Sequence, residues 1–271
     1  YDASEPITVA RHTISDYHGK NRWLSVPEIL IHSSNIGAAK MALDVGTERQ
    51  KSYLQDLGLL SSAEIELPEI GKPLLPSRWR EINTMTISFG HGIAVSPLQL
   101  ASGVATLVNG GLRHPATILQ RNFDETVPST RVIDESTSSS MRGLMRLVVK
   151  YGTGKNAEAE GYMIGGKTGT ADKLIDGRYS HNKRMASFVG AFPIKQPRYV
   201  VLVIVDEPVG IERTFNYATG GWVAAPIVSR IVSRMGPLLG MLPETLVASN
   251  NNEKPNPDGF MKTWERTFEA R

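Results

Sequence analysis

The sequence predicts an α+β fold in which an antiparallel β-sheet is flanked by helices and joined to a helical subdomain. Three observations predict it. Up to Lys150, apolar positions recur at helical spacing between strong helix starts and stops. Beyond Gly161 the pattern changes to short, β-branched apolar runs. The connections between those runs are too short for a parallel crossover, so neighbouring strands must run antiparallel.

Taken in order, Val26 to Ile31 reads as a short helix stopping at Ser33-Ser34-Asn35, and a second helix runs from Ile36 to Val45. Thr47 to Leu57 is a third, with Gly58 placed for a left-handed C-terminal cap. Ser96-Pro97-Leu98-Gln99 is a capping box with proline in the first turn, starting a helix that runs to Val108 and ends at Gly110-Gly111. Ser136 to Lys150 repeats the pattern, with Met141, Leu144, Met145 and Val148 on one face. The predicted strands are Tyr162–Asp172, Met185–Phe192 and Tyr199–Asp206, with Asp176-Gly177 marking the first turn and Pro193 to Pro197 the second. Trp222 to Met235 reads as a covering helix that presents Ile227, Val228, Ile231, Val232 and Met235 to the sheet. Residues 1–248 are expected to form the folded domain and residues 249–271 a polar linker and tail. In that tail Met261, Trp264 and Phe268 form either one face of a docking helix or a frayed end.

Composition narrows the function. A chain of 271 residues, 41% hydrophobic and 21% charged, is ordinary for a soluble globular protein. A net charge of +3 from 30 basic and 27 acidic residues, scattered rather than massed, argues against nucleic acid as a partner. With no cysteine there is no disulfide, thiolate ligand or cysteine nucleophile. The six histidines show no metal-binding spacing, so neither a metal nor another cofactor is expected. The longest apolar run, Val200 to Val205, is far short of the roughly 20 residues that span a bilayer. The N-terminus has neither the basic start nor the apolar centre of a signal peptide, and the chain reads as a fragment of a longer protein.

Two motifs compete at one place. Gly161-Tyr162-Met163-Ile164-Gly165-Gly166-Lys167-Thr168 fits the phosphate-loop pattern, and Val200 to Asp206-Glu207 imitates its acidic partner strand. A phosphate loop must follow a buried strand and open a helix. Here polar Asn156 to Glu160 precedes it, and the turn at Asp176-Gly177 follows too soon for a helix. The alternative is a strand bearing Lys167-Thr168-Gly169-Thr170, on which Lys167 and Gly169 face one way and Thr168 and Thr170 the other. Lys167 would offer a cation to an anion, and Gly169 would let a substrate backbone approach an edge strand. Alone, this tetrapeptide fits a surface hairpin equally well, and Ser33 and Asn35 alone fit a helix cap.

Together with their neighbours these residues carry a resemblance. Ser33-Ser34-Asn35-Ile36-Gly37, Ile87-Ser88-Phe89-Gly90-His91-Gly92, Ser96-Pro97-Leu98-Gln99-Leu100-Ala101, Gly166-Lys167-Thr168-Gly169-Thr170-Ala171, Gly177-Arg178-Tyr179 and Gly220-Gly221-Trp222-Val223-Ala224-Ala225-Pro226 follow one another in family order. Over nearly the whole chain to about Leu242 it resembles the transpeptidase domain of class B penicillin-binding proteins, most closely the cell-division (septal) type. The resemblance implies the transpeptidase fold shared with serine β-lactamases. It also implies peptidoglycan crosslinking through a serine acyl-enzyme on the D-alanyl-D-alanine end of a stem peptide, and inhibition by β-lactams. Under it Ser33 relays a proton at the leaving nitrogen and Asn35 hydrogen-bonds the substrate amide. Lys167, Thr168 and Thr170 hold the terminal carboxylate on the strand that includes Gly169, and the Thr170 N–H is one oxyanion donor. It further implies divisome partners, including a septal glycosyltransferase, and a place on the periplasmic face of the inner membrane behind an N-terminal anchor.

One element is missing. The family's nucleophile lies in a Ser-x-x-Lys roughly fifty residues before Ser-x-Asn, which falls upstream of Tyr1. The literal match, Ser180-His181-Asn182-Lys183, follows a hairpin rather than starting a buried helix. No catalytic serine is therefore assigned within the chain. A non-catalytic relative and a related serine hydrolase (a D,D-carboxypeptidase or β-lactamase) stay open beside the active transpeptidase.

Overall fold

A computed structural model of the chain describes residues 1–9, 12–122, 125–175, 178–241 and 243. The chain divides into two units, Tyr1–Ser138 and a second beginning at Ser139.

The first unit opens with a hairpin, β1 (Ile7–Val9) and β2 (His12–Ile14), in which Ile7 pairs with Ile14. Two helices meet at a sharp turn, α1 (Val26–His32) and α2 (Asn35–Val45), and α3 (Thr47–Asp56) follows, with Gly58 left-handed beyond its end (φ +77°). The helix α4 (Glu81–Ile87) has no counterpart in the sequence reading. Its polar and β-branched residues are poor helix formers, and tertiary hydrogen bonds hold it instead. The fully buried Thr84 hydroxyl lies 2.7 Å from that of Thr47 and accepts from Trp79 Nε1 at 3.2 Å, while its carbonyl accepts from Gln50 Nε2 at 2.9 Å.

The predicted capping box forms at α5 (Pro97–Val108). Ser96 Oγ accepts from Gln99 N at 3.2 Å, and Gln99 Oε1 accepts from Ser96 N at 3.0 Å. Beyond it lies a two-residue ladder of β3 (Leu112–Arg113) and β4 (Thr130–Arg131). Helix α2 divides its apolar side between two clusters. Ile36 joins Ala3, Leu24 and Ile29, and Ala39 joins Ile14 and Met85.

The unit boundary falls inside α6 (Glu135–Tyr151). Burial extends beyond the predicted face of this helix. Leu147 and Val149 are as buried as Val148, whereas Met141 is only partly so. The sheet of the second unit has the order β5 (Gly165–Ile175), β6 (Arg178–Phe192), β7 (Tyr199–Asp206), antiparallel throughout as predicted. The first strand starts later than the sequence reading had it. Tyr162 instead packs in the core, its hydroxyl donating to the Met241 carbonyl at 3.1 Å.

The predicted covering helix is two helices, α7 (Gly220–Val223) and α8 (Ala225–Leu238), because Pro226 has no N–H to continue α7 and sits in the first turn of a new helix. The buried residues of α8 are Ala225, Val228, Val232 and Gly236, the last three four apart on one stripe, while Ile227 and Ile231 are only partly buried. Ala225, Val228 and Val232 share a cluster with Phe188 and Phe192 of β6, both fully buried, with Val201 and Val203 of β7 alongside. The Asp176-Gly177 turn, residues 249–271 and the predicted end of the domain at residue 248 lie outside the described residues. Among the described residues no helix is long and apolar enough to cross a membrane.

Two substitutions test this core. Phe188→Ala should cost about 3–5 kcal/mol. A Cβ at Gly236 would fall 2.3 Å from the Tyr162 ring, so Gly236→Ala should cost about 1–3 kcal/mol by overpacking. Urea unfolding midpoints at constant m-value would measure both.

Candidate active site

The sequence-predicted site residues fall in both units. Ser33 and Asn35 belong to the first, and Lys167, Thr168, Gly169 and Thr170 to the second.

In the first unit the α1–α2 turn sets the geometry. Ser33 caps α1 in the left-handed region (φ 56°, ψ 51°), an exposed residue on a backbone that few non-glycine residues adopt. Ser34 is the true N-cap of α2, its hydroxyl accepting from Gly37 N at 3.0 Å. Asn35, the first helical residue, donates from Nδ2 to the Ser15 carbonyl at 2.9 Å. The middle residue of the motif thus builds the turn, while the outer two present their side chains from it.

In the second unit all four residues lie on the edge strand β5, where Lys167 pairs with Val189, Thr168 with Phe188, Gly169 with Ser187 and Thr170 with Ala186. Lys167 and Thr168 sit mid-strand rather than at a helix start, which removes the phosphate-loop alternative. Ser180 to Lys183 lies within β6 at a register shift, so it has no helical face on which a serine and lysine three apart could meet.

Burial of its ammonium pushes the pKa of Lys167 down to about 8. On the other face the two threonines are braced by groups outside the motif. The Thr168 hydroxyl lies 2.7 Å from that of Thr153, and the Thr170 hydroxyl accepts from Gly220 N at 3.0 Å. With the backbone N–H as donor, Thr170 keeps its own hydroxyl proton for a ligand. If Thr153 donates to Thr168, Thr168 keeps its proton as well. Two hydroxyl donors on one face suit a carboxylate, while the Lys167 ammonium lies on the opposite face and donates to the Thr168 carbonyl at 3.0 Å.

Gly169 has a structural role beside the one expected of it. A Cβ there would fall 2.5 Å from Ser187 Oγ, so the glycine makes room for its cross-strand neighbour. Gly220 is equally constrained, since a Cβ would fall 2.2 Å from the Ser187 carbonyl and 2.5 Å from that of Gly169. Asn156 holds this second glycine segment by donating from Nδ2 to the Gly221 carbonyl at 2.9 Å. Beside it Tyr217 stacks on Trp222 (5.7 Å, 11°) and Phe215 meets the same ring edge-on (5.4 Å, 70°). Thr153 and Asn156 have only the Gly-Thr-Gly at 152–154 as a sequence signal, and their role rests on long-range pairing.

A strand of this kind, carrying Lys-Thr-Gly-Thr beside a Gly-Gly helix start, matches a known family. The model of the penicillin binding protein transpeptidase domain covers residues 2–233. The chain belongs to that family. Its relatives among the penicillin-binding proteins include the probable peptidoglycan D,D-transpeptidase FtsI of Caulobacter vibrioides, 39% identical over 94% of this chain and 45% of that protein. FtsI of Escherichia coli is 33% identical over 92% of this chain and 41% of its own length. The chain therefore spans less than half the length of these relatives. The apo transpeptidase domain of Burkholderia pseudomallei penicillin-binding protein 3 superposes with a TM-score of 0.80 at 34% identity, covering 88% of this chain and 71% of that one. The α+β fold with an antiparallel sheet and flanking helices is thus the transpeptidase fold expected of the sequence.

The lysine carries a consequence for stability. Its folded pKa of about 8 lies below the ordinary 10.5, so the folded state binds fewer protons than the unfolded one between those values. Its penalty is complete below about pH 8 and is relieved as pH rises towards 10.5. Lys167→Met should raise stability at pH 7 by up to about 3 kcal/mol and flatten the rise above pH 8, as measured by denaturant unfolding across pH.

Proposed function

We propose that this chain is part of a peptidoglycan D,D-transpeptidase that crosslinks stem peptides during septal wall synthesis and is acylated by β-lactams. The observation that carries the reading is the Lys167–Thr170 segment, where an edge strand presents two hydroxyl donors suited to a carboxylate on one face and carries the Lys167 ammonium on the other. Both a D-alanyl-D-alanine terminus and a penicillin carry such a group. The septal assignment is supported by the relatives named FtsI.

In this reading a serine hydroxyl attacks the penultimate D-alanyl carbonyl, the C–N bond breaks, and the terminal D-alanine leaves with a proton. An amine of a neighbouring strand then takes the acyl group and releases the serine. Ser33 passes the proton to the leaving nitrogen, Asn35 hydrogen-bonds the substrate amide, and Lys167 with Thr168 and Thr170 fixes the carboxylate. The Thr170 N–H contributes to the oxyanion hole, where one donor is worth roughly 3–4 kcal/mol. The nucleophile belongs to a Ser-x-x-Lys segment of the full-length protein outside these 271 residues. That protein acts at the periplasmic face of the inner membrane with divisome partners, among them a septal glycosyltransferase.

The intact mass of the full-length protein before and after penicillin tests this. A single drug adduct on a serine of a Ser-x-x-Lys segment is expected. Thr170→Val, which loses both the acceptor for Gly220 N and its own donor, should slow adduct formation on the order of 10- to 100-fold. No adduct on folded protein would overturn the transpeptidase reading in favour of a binding-only relative, and turnover of the drug with release of the adduct in seconds would favour a hydrolase.

A further inference from the structure

Asp16 belongs to none of the motifs above, yet it grips the Ser33-Ser34-Asn35 turn from outside. Its Oδ2 accepts from Ser34 Oγ at 2.7 Å, and its Oδ1 accepts from Ile36 N at 3.0 Å. The carbonyl of the preceding Ser15 accepts from Asn35 Nδ2 at 2.9 Å. Three hydrogen bonds therefore join two segments 18 to 20 residues apart in sequence.

Their effect follows from what each bonded atom can do. Ser34 is 3% exposed, and its hydroxyl is saturated, donating to Asp16 and accepting from Gly37 N. Turning that hydroxyl away would strand buried polar atoms. Ile36 N is one of the helix-start N–H groups that need an outside acceptor, and Asp16 supplies it with a negative charge at the favourable end of the helix. Asn35 commits one amide hydrogen to Ser15, and the rigid planar amide then fixes where the second hydrogen points. Ser33 sits beside these contacts in a left-handed conformation, which persists only where surrounding bonds over-determine it.

We propose that Asp16 is a positioning residue for the Ser33 and Asn35 side chains. It touches neither substrate nor reacting atoms. Through Ser34 and Ile36 it sets the direction in which the Ser33 hydroxyl and the Asn35 amide leave the turn. The inference rests on the D,D-transpeptidase reading above.

The test uses the full-length protein with Asp16→Ala and Asp16→Asn. Penicillin acylation is resolved into a binding constant and a first-order acylation constant, and titration of acylable molecules keeps unfolded protein out of the rate. Asp16→Ala should lower the first-order constant ~10-fold or more, since small misplacements of catalytic groups cost that much, and shift binding much less. Asp16→Asn keeps one acceptor oxygen and should recover part of the loss. In an Asn35→Ala background the same alanine change should cost less than it does alone. Fully additive losses, or titratable Asp16→Ala molecules that acylate at the unmodified rate, would overturn the proposal.

Hydrogen exchange at the Ile36 amide separates this from failure of the underlying reading. Asp16→Ala should speed that exchange whether or not any drug reacts. Equal exchange in both proteins would overturn the grip itself. A protected Ile36 amide in an unmodified protein that never forms an adduct would instead overturn the transpeptidase reading, and the positioning role with it.

Discussion

The register of β5 on β6 is the constraint from which the second unit follows. Side chains on a strand alternate, so a slip of one residue would exchange Lys167 for Thr168 and Thr170 on every face. Crowding at one spot opposes a slip. Gly169 leaves space for the Ser187 side chain, and the backbone of Gly220 rests on the carbonyls of both residues. The core opposes it too, because Phe188 and Phe192 share one face of β6 with the α8 stripe and would be turned out by a shift. The same register sets which face of β5 the Lys167 side chain takes, and burial of its ammonium there lowers its pKa.

The candidate residues of each unit use the same economy of hydrogen bonds. A supporting group supplies the bond that fixes a side chain and leaves one of its protons for another partner. Gly220 N does this for Thr170, and the Ser15 carbonyl does it for Asn35. Buried polar atoms left unpaired are costly, so such supports also hold the local backbone to one conformation. The residues that chemistry would use are thus held by neighbours that carry no reactive group.

Much of this was legible in the sequence. Periodicity and capping chemistry are local, so α1, α2, α3, α5 and α6 fell within about a residue or two of their predicted ends, and the Ser96–Gln99 box formed as read. The three strands followed from their β-branched apolar runs and their direction from connection length, although β6 starts at Arg178 rather than at the predicted Met185. The misreadings have two causes, tertiary contacts and one proline. Helix α4 owes its existence to Thr84 bonding residues far away in sequence, Pro226 split a helix that its apolar period made continuous, and Tyr162 was drawn from the strand into the core. The motif residues of the site announced themselves by type and order. Thr153, Asn156 and Asp16 did not, since a threonine, an asparagine and an aspartate say nothing until folding brings their partners to them.

The left-handed backbone of Ser33 bears on how its hydroxyl can be dissected. Alanine, the usual choice for deleting a side-chain oxygen, keeps the Cβ that makes this conformation unfavourable and loses any local bond that offsets it. Glycine deletes the oxygen while welcoming the backbone, though it also loosens the unfolded chain. Asparagine tolerates the same region and restores a polar group of different reach. A pair of replacements at this one position, read against each other, would therefore separate what the hydroxyl contributes to chemistry from what the turn costs to form.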